Sequence, residues 1–445
     1  MTVNLDQTSA GAQHHCYDIV IVGGGLVGAS LCLALSGTAL AHGLSIAVLD
    51  AASIEATTPT AAGALDGRAT ALAYGSRNLL DSIGLWQHLS PHAQAINHIQ
   101  VSDQGQPCKS DMSSQGMQRE ALGYVLQNQA MGQVFLEQIK QRCSGFVEII
   151  DQAQVTSITN ARQDSQLKYQ RLGQSVSLTA QLIVMADGGR SELRQQLGMF
   201  DQVQSYDQVA LVANLELEQT HQGLACERFT PSGPLALLPL LDYQHQHRVA
   251  LVWTQPIERQ QELQQLSDED LLIEIQQHVG YPMGEFRAVG DRQVYPLTLS
   301  VAQEQARQGL AVVGNAAHTL HPIAGQGFNL ALRGNFALAA AVLKACKRGT
   351  PIGDLANLNQ FVEASQWDQD RVIGASDKVM KLFSSKKRHY SAMRQLGLLA
   401  MQRVPLVKTV FTRAAMGLDV PLAQVLAMPS PKSSSKSASL NEAKS

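Results

Sequence analysis

The chain has 445 residues, of which 45% are hydrophobic and 16% charged, and its formal net charge is −3. That length suits two domains with additions rather than one core, and a slightly acidic chain with no long basic run and no zinc-finger spacing is not built mainly for nucleic acid. The six cysteines (Cys16, Cys32, Cys108, Cys143, Cys226 and Cys346) are scattered without a C-x-x-C pair, which points to reduced thiols and to neither a disulfide framework nor a metal site.

Residues 1–16 read as a disordered leader, and residues 17–50 as strand, helix, strand. Within them, 18–28 read DIVIVGGGLVG, and Asp50 closes the next apolar run. Gly23, Gly25 and Gly28 form a G-x-G-x-x-G after a β-branched strand. The first glycine permits the tight turn, the second lets backbone approach a pyrophosphate, and the third packs helix on strand. A carboxylate at Asp50 can accept both hydroxyls of an adenosine ribose. Residues 19–41 are also apolar enough to suggest a membrane span. That reading leaves the clustered glycines unexplained, and no Lys or Arg precedes the stretch.

Further along, 66–83 has helical spacing at Leu72, Leu79, Leu80 and Ile83, and 99–102 is a short strand candidate. Residues 103–120 read as a polar surface loop, and 124–143 as a helix through Leu126, Val134, Phe135 and Ile139. Strand-like stretches follow at 146–150 and 153–158, then a polar hairpin through 176–179. Residues 181–194 (QLIVMADGGRSELR) read as a buried strand, a turn and a helix start.

From about 196 to 296 the pattern changes to alternating strands, including 209–216, 225–229, 235–239 and 248–253, with a helix at 268–278 capped by Ser267. A last buried strand at 310–314 leads through a glycine-rich turn into a long helix at 325–347. Residues 355–427 are mostly helical, and the Ser-, Lys- and Ala-rich tail after Pro429 reads as disordered.

Three motifs now stand in order: GGGLVG at 23–28, ADGGRSELR at 186–194 and GNAAHTLHPIAGQGFNLALRG at 314–334. Together they resemble the single-component FAD-dependent aromatic hydroxylases, the p-hydroxybenzoate hydroxylase-like family, over residues 17–425. Within that family the chain is most similar to the ubiquinone-biosynthesis hydroxylases, through DGRATAL (66–72), ERFTPSGPLALLPL (227–240) and GNAAHTLHPIAGQGFNL (314–330). Asn315 and the His321-Pro322 pair bring it nearest to those acting on a 2-polyprenyl-6-methoxyphenol.

The resemblance implies an α/β fold: a glutathione-reductase-type, Rossmann-like FAD-binding domain, a β-sheet substrate domain and C-terminal helices. The expected division is 17–98, 121–195 and 297–354 for the FAD domain, 99–120 and 196–296 for the substrate domain, and 355–428 for the helices, with a disordered tail at 429–445. It assigns the Asp187-Gly188 turn to FAD and places Arg68 beside the FAD phosphates, where a bidentate guanidinium suits. Alone, the first could be an ordinary helix-capping turn and the second a solvated arginine. Asn315 stands where the family usually has Asp. It keeps hydrogen bonding but loses the charge-assisted bond, about 1 kcal/mol. Gly325, Gly327 and the helix after them can turn backbone N–H groups toward the flavin and stabilise negative charge on the reduced ring.

The activity implied is that of an FAD monooxygenase. It takes electrons from NAD(P)H or another reductant, uses molecular oxygen as co-substrate, and hydroxylates the ring of the prenylated phenol to a 1,4-benzoquinol; the alternatives are another ring position in the same pathway or a prenyl-lipid flavin reductase on the same fold. No second G-x-G-x-x-G marks a separate nicotinamide domain. His321 is a candidate phenol base, and Arg228, Phe229 and Trp253 are candidate pocket residues. Taken singly, His318 and His321 each read more readily as satisfied turn histidines. Lysines and arginines mixed with Leu, Met, Val and Phe across 377–416 suit either an anionic membrane surface or helices packed on the FAD domain. The expected partners are the polyprenylated phenol, other ubiquinone-biosynthesis proteins and the membrane surface, with no nucleic acid. The expected location is the cytoplasm, peripherally at the inner face of the membrane.

Overall fold

A computed structural model describes residues 15–53, 67–161, 164–189, 192–320, 325–384 and 388–429. Its first sheet is parallel at the centre. His15–Val22 lies between Ile46–Leu49 and Gln174–Met185, with Val147–Ile150 beyond the former and Leu310–Val312 beyond the latter. Runs such as IVIV, IAVL and LIVM are apolar on both sides because both faces are covered. Helices Leu26–His42 and Gln326–Arg348 pack on one face, and the antiparallel ladder of Gln154–Thr159 and Ser165–Arg171 covers the other. Ile19, Val20 and Ile21 between them are fully buried. The five parallel strands end on one edge, which is where open α/β sheets bind ligands.

The second sheet runs His318–Thr319, Gln293–Ala302, Asp201–Leu217, Gln246–Pro256, Gly233–Tyr243, Leu224–Thr230, His98–Asp103 and Lys109–Ser113. Phe286–Val289 pairs with Asp201–Leu217 as well. One face is covered by Gln260–Gln265 and by Asp268–Val279. The latter helix starts where the Ser267 hydroxyl accepts the Asp270 N–H at 3.1 Å, with three acids in the first turn. The opposite face meets a small sheet of Ala69–Ala73, Gly123–Gln127 and Ala93–Ile96, and the C-terminal segment.

Several local expectations need correction. Residues 69–73 are a strand, because their backbone pairs antiparallel with Gly123–Gln127, and helix begins only at Tyr74. The same pairing turns 123–127 into strand, so that helix starts at Asn128. The polar stretch 103–120 contains Lys109–Ser113, an edge strand on His98–Asp103. The polar hairpin turns at Leu172 and Gly173, not at 176–179, which continue the strand into the sheet. The sheet of the expected substrate domain does not stop at 296: Gln293–Ala302 is one strand along Asp201–Leu217, and His318–Thr319 joins its edge. At the N-terminus the first strand already begins at His15, inside the expected leader. Leu355–Ser384, Arg388–Arg403 and Pro405–Ala415 are the C-terminal helices.

Candidate functional site

Three neighbouring parallel strands deliver the three motifs to one edge. The Ala186 N–H donates to Val22 O at 2.8 Å, and the Val313 N–H to Met185 O at 3.0 Å. Gly23, Asp187 and Gly314 follow directly. Gly23 has φ +103°, and a Cβ there would lie 2.5 Å from Ala186 O. A Cβ on Gly28 would lie 1.8 Å from Gly23 O, so helix and strand close on each other only with glycine. Gly25 is different. No atom lies within 4 Å of where its Cβ would be, and it precedes a 17-residue helix with no side-chain cap and no acid in its first turn. Its free N–H groups and the helix dipole make an anion cradle. That cradle, with open space at Gly25, fits a pyrophosphate.

Asp50 follows Ile46–Leu49 beside this turn. Its Oδ2 accepts the Gly24 N–H at 2.7 Å and its Oδ1 the Ala52 N–H at 2.8 Å. Each oxygen keeps a lone pair, so the carboxylate can hold the turn and accept a ribose hydroxyl as well. Arg68 is exposed, with its guanidinium 5.9 Å from the centre of the Tyr295 ring. The buried Asn214 amide donates to Gly67 O at 2.8 Å, which fixes the arginine's segment to the second sheet.

In the third motif, residues 314–316 form a single 3-10 turn that leaves Asn315 exposed between buried neighbours. Gly188, at φ +97°, and Gly327 both face open space. Gly325 is the left-handed residue before the 23-residue helix Gln326–Arg348, whose N-terminus also lacks a side-chain cap. Asn329 locks that end. Its Oδ1 accepts the Ala73 N–H at 2.7 Å, and its Nδ2 donates to Ala71 O at 2.7 Å and Gly325 O at 2.9 Å. Asn335, one and a half turns on, donates to Val27 O and Ser30 Oγ. Sequence reading passed over both. The signal was there, because asparagine is a poor residue for an apolar helix interior unless its amide is needed. His318 is buried, and burial lowers its pKa. His321 lies outside the described residues.

The three pocket candidates do not share a face. Arg228 belongs to the row Ser102, Arg228, Leu235, Trp253, Leu211. Trp253 is fully buried among Leu263, Leu271 and Ile275, and its ring meets that of His278 at a tilt of 60°, with centroids 5.2 Å apart. Arg228 and Trp253 therefore serve the helix-covered side. Phe229 alone faces the small sheet, with Leu122, Val125 and Ala250. Glu227 shares that face, and the sequence reading did not single it out.

Residues 16–353 match the family model described as "FAD binding domain". The chain belongs to the FAD-dependent aromatic hydroxylases, and within them to the ubiquinone-biosynthesis hydroxylases. It is 34% identical to the "Ubiquinone hydroxylase UbiL" of Rhodospirillum rubrum over 90% of this chain and 89% of that one. It is 28% identical to the "3-demethoxyubiquinol 3-hydroxylase" of Escherichia coli over 90% and 98%. Among solved structures it is similar to p-nitrophenol 4-monooxygenase PnpA of Pseudomonas putida, with TM-score 0.73, 17% identity, and 92% of this chain and 100% of that one covered. The fold is thus that of an FAD-binding domain with a substrate sheet and C-terminal helices, and the chain is an FAD-dependent monooxygenase.

Proposed function

We propose that this hydroxylase acts on a 2-polyprenyl-6-methoxyphenol and places the new hydroxyl para to the existing one, giving the 1,4-benzoquinol. The carrying observation is the third motif, where Asn315 stands in place of aspartate and His321-Pro322 follows. FAD, when bound, supplies the oxygen-transfer chemistry. The protein's part is to hold it and to orient the ring. Gly23, Gly25 and Gly28 would hold the pyrophosphate, Asp50 the adenosine ribose and Arg68 a phosphate. Asp187, Gly188 and Asn315 would meet the remaining hydroxyls, and Gly325 and Gly327 the flavin ring. Phe229 would wall the phenol. Electrons come from NAD(P)H or another donor, and oxygen is the co-substrate.

The relative named as a 3-demethoxyubiquinol 3-hydroxylase favours a second reading, another ring position in the same pathway. Intermediates in cells lacking the protein decide between them. Accumulation of the unhydroxylated phenol in air, but not in anaerobic growth, supports the first. Accumulation of a ring already carrying the 1,4-diol supports the second.

An association with the membrane surface belongs to the same reading. No helix among the described residues is long and apolar enough to cross a membrane. Pro405–Ala415 instead exposes Leu406, Val407, Val410 and Phe411, near Arg403, Lys408 and Arg413. An apolar strip with basic neighbours suits an anionic lipid interface, where a polyprenyl substrate resides.

A further inference from the structure

We propose that Glu227 is the base that takes the phenol proton. The inference rests on the phenol reading above. In the sheet, Glu227 lies in the row Val101, Glu227, Ala236, Val252, Val212. The rows on either side contain Asn214, which donates to Gly67 O, and Tyr295, which faces the Arg68 guanidinium. The face that bears Glu227 is thus the face held against the Gly67-Arg68 segment. Across the small sheet from it, Ala71 touches Gly325 at the start of the long helix.

The surroundings of this carboxyl are apolar. Phe229, Ala225, Val101 and Leu238 pack on its face, and it has no hydrogen bond or ion pair among the described residues. The residue is half-buried rather than fully covered. An unpaired carboxylate in such a place is costly, and proteins retain such groups where they do chemistry. Burial pushes its pKa up to about 7, which makes it half ionised near neutrality and a matched acceptor.

The other titratable groups packed on this face serve less well. Asp103 is buried beside Phe229 and accepts from Gln395 at 3.5 Å. Arg68 has no lone pair to accept a proton. Tyr295 donates to Gln293, and Tyr74 and Cys108 lie at the margin of the cluster. Arg248, in the next row but one, is bound to Leu241 O. His278 is on the opposite face with Trp253.

In the step, the phenol O–H bond breaks, its electron pair stays on oxygen, and the proton moves to a Glu227 carboxylate oxygen. The phenolate is the more electron-rich ring. After the para carbon has gained one atom of O2, the other leaving as water with two electrons from the reductant named above, Glu227 returns a proton to the first oxygen, while that carbon loses its hydrogen as a proton to water and aromaticity is restored.

The test compares wild type, Glu227→Gln and His321→Asn, all loaded with FAD, with a short-chain 2-prenyl-6-methoxyphenol as probe. Binding of the phenol is read from its ultraviolet difference spectrum without turnover, and kcat and kcat/KM are then measured across pH. In wild type kcat/KM should rise with pH to a plateau above about 7, as the Glu227 carboxylate becomes free to accept the proton. Glu227→Gln should keep its FAD and a KM within a few-fold, lose about 10²-fold in kcat, and show no such rise. An unchanged profile in Glu227→Gln, or loss of the rise in His321→Asn instead, overturns the assignment. The same Glu227-dependent profile with a different phenol, and no hydroxylation of this ring, would overturn the substrate reading alone. A wild type that binds no such phenol overturns both.

Discussion

Asn329 and Ala71 are joined by a 2.7 Å hydrogen bond that spans 258 positions in the chain. The same side chain also holds Ala73 and Gly325, so one buried amide ties the small sheet to the start of the flavin-motif helix. Asn329→Ala should leave a buried N–H and two carbonyls without that partner. Each such loss costs about 1–3 kcal/mol. The variant should melt well below wild type and retain less FAD on purification. A melting curve unchanged from wild type would show that this tie is dispensable.

The two outer glycines and the middle one of the first motif should separate experimentally. Gly28→Ala meets Gly23 O at 1.8 Å and should fail to fold stably. Gly25→Val has room for its side chain in the protein alone, so it should fold with native circular dichroism yet emerge without flavin. Full flavin content in Gly25→Val would remove the pyrophosphate from this turn.

Asp50→Ala should weaken FAD binding by about 1.5–3 kcal/mol, the worth of one charge-assisted contact. Because Asp50 also accepts from Gly24 and Ala52, part of the loss comes from a looser turn. Fluorescence titration with FAD measures the total. Equal affinity in the variant would detach Asp50 from the ribose.

Glu227 also predicts a pH-dependent stability. Its folded pKa of about 7 is above the ordinary value of 4.5. The protonated form is favoured by folding, so its contribution is intact below pH 4.5 and is lost as pH rises through 7. Glu227→Gln does not titrate. It should melt near wild type at pH 4.5 and above it at pH 8, by up to about 3 kcal/mol. A melting difference that stays flat between these values would place the carboxyl in water.

Much of the nucleotide-binding half was legible because its signals are local. Glycine spacing, a β-branched run and Asp50 lie within one strand-helix-strand unit, and Ser267 with its three acids marks a helix start by itself. What failed was set by distant partners. Residues 69–73 have helical spacing but become strand only because Gly123–Gln127 lies beside them. Lys109–Ser113 is polar because it is an edge. Trp253 and Phe229 were both reasonable aromatic pocket walls. Alternation along one strand gives two faces without saying which is covered by Asp268–Val279. Glu227 could not be picked out, because its distinction is the absence of a partner among the described residues, and that exists only in three dimensions.

The exposed strip on Pro405–Ala415 offers a test of the membrane reading. Val410→Glu with Phe411→Glu should abolish co-sedimentation with vesicles containing anionic phospholipid while FAD content stays the same. Binding retained in that double variant would move any lipid contact elsewhere.

Product analysis tests the central claim most directly. The purified, FAD-loaded protein is given a short-chain 2-prenyl-6-methoxyphenol, NADH or NADPH and ¹⁸O-labelled oxygen, and the product is identified by mass spectrometry and NMR. The account predicts the 1,4-quinol, carrying one labelled oxygen para to the original hydroxyl. A hydroxyl at another ring carbon, or an oxygen that comes from water, would contradict it.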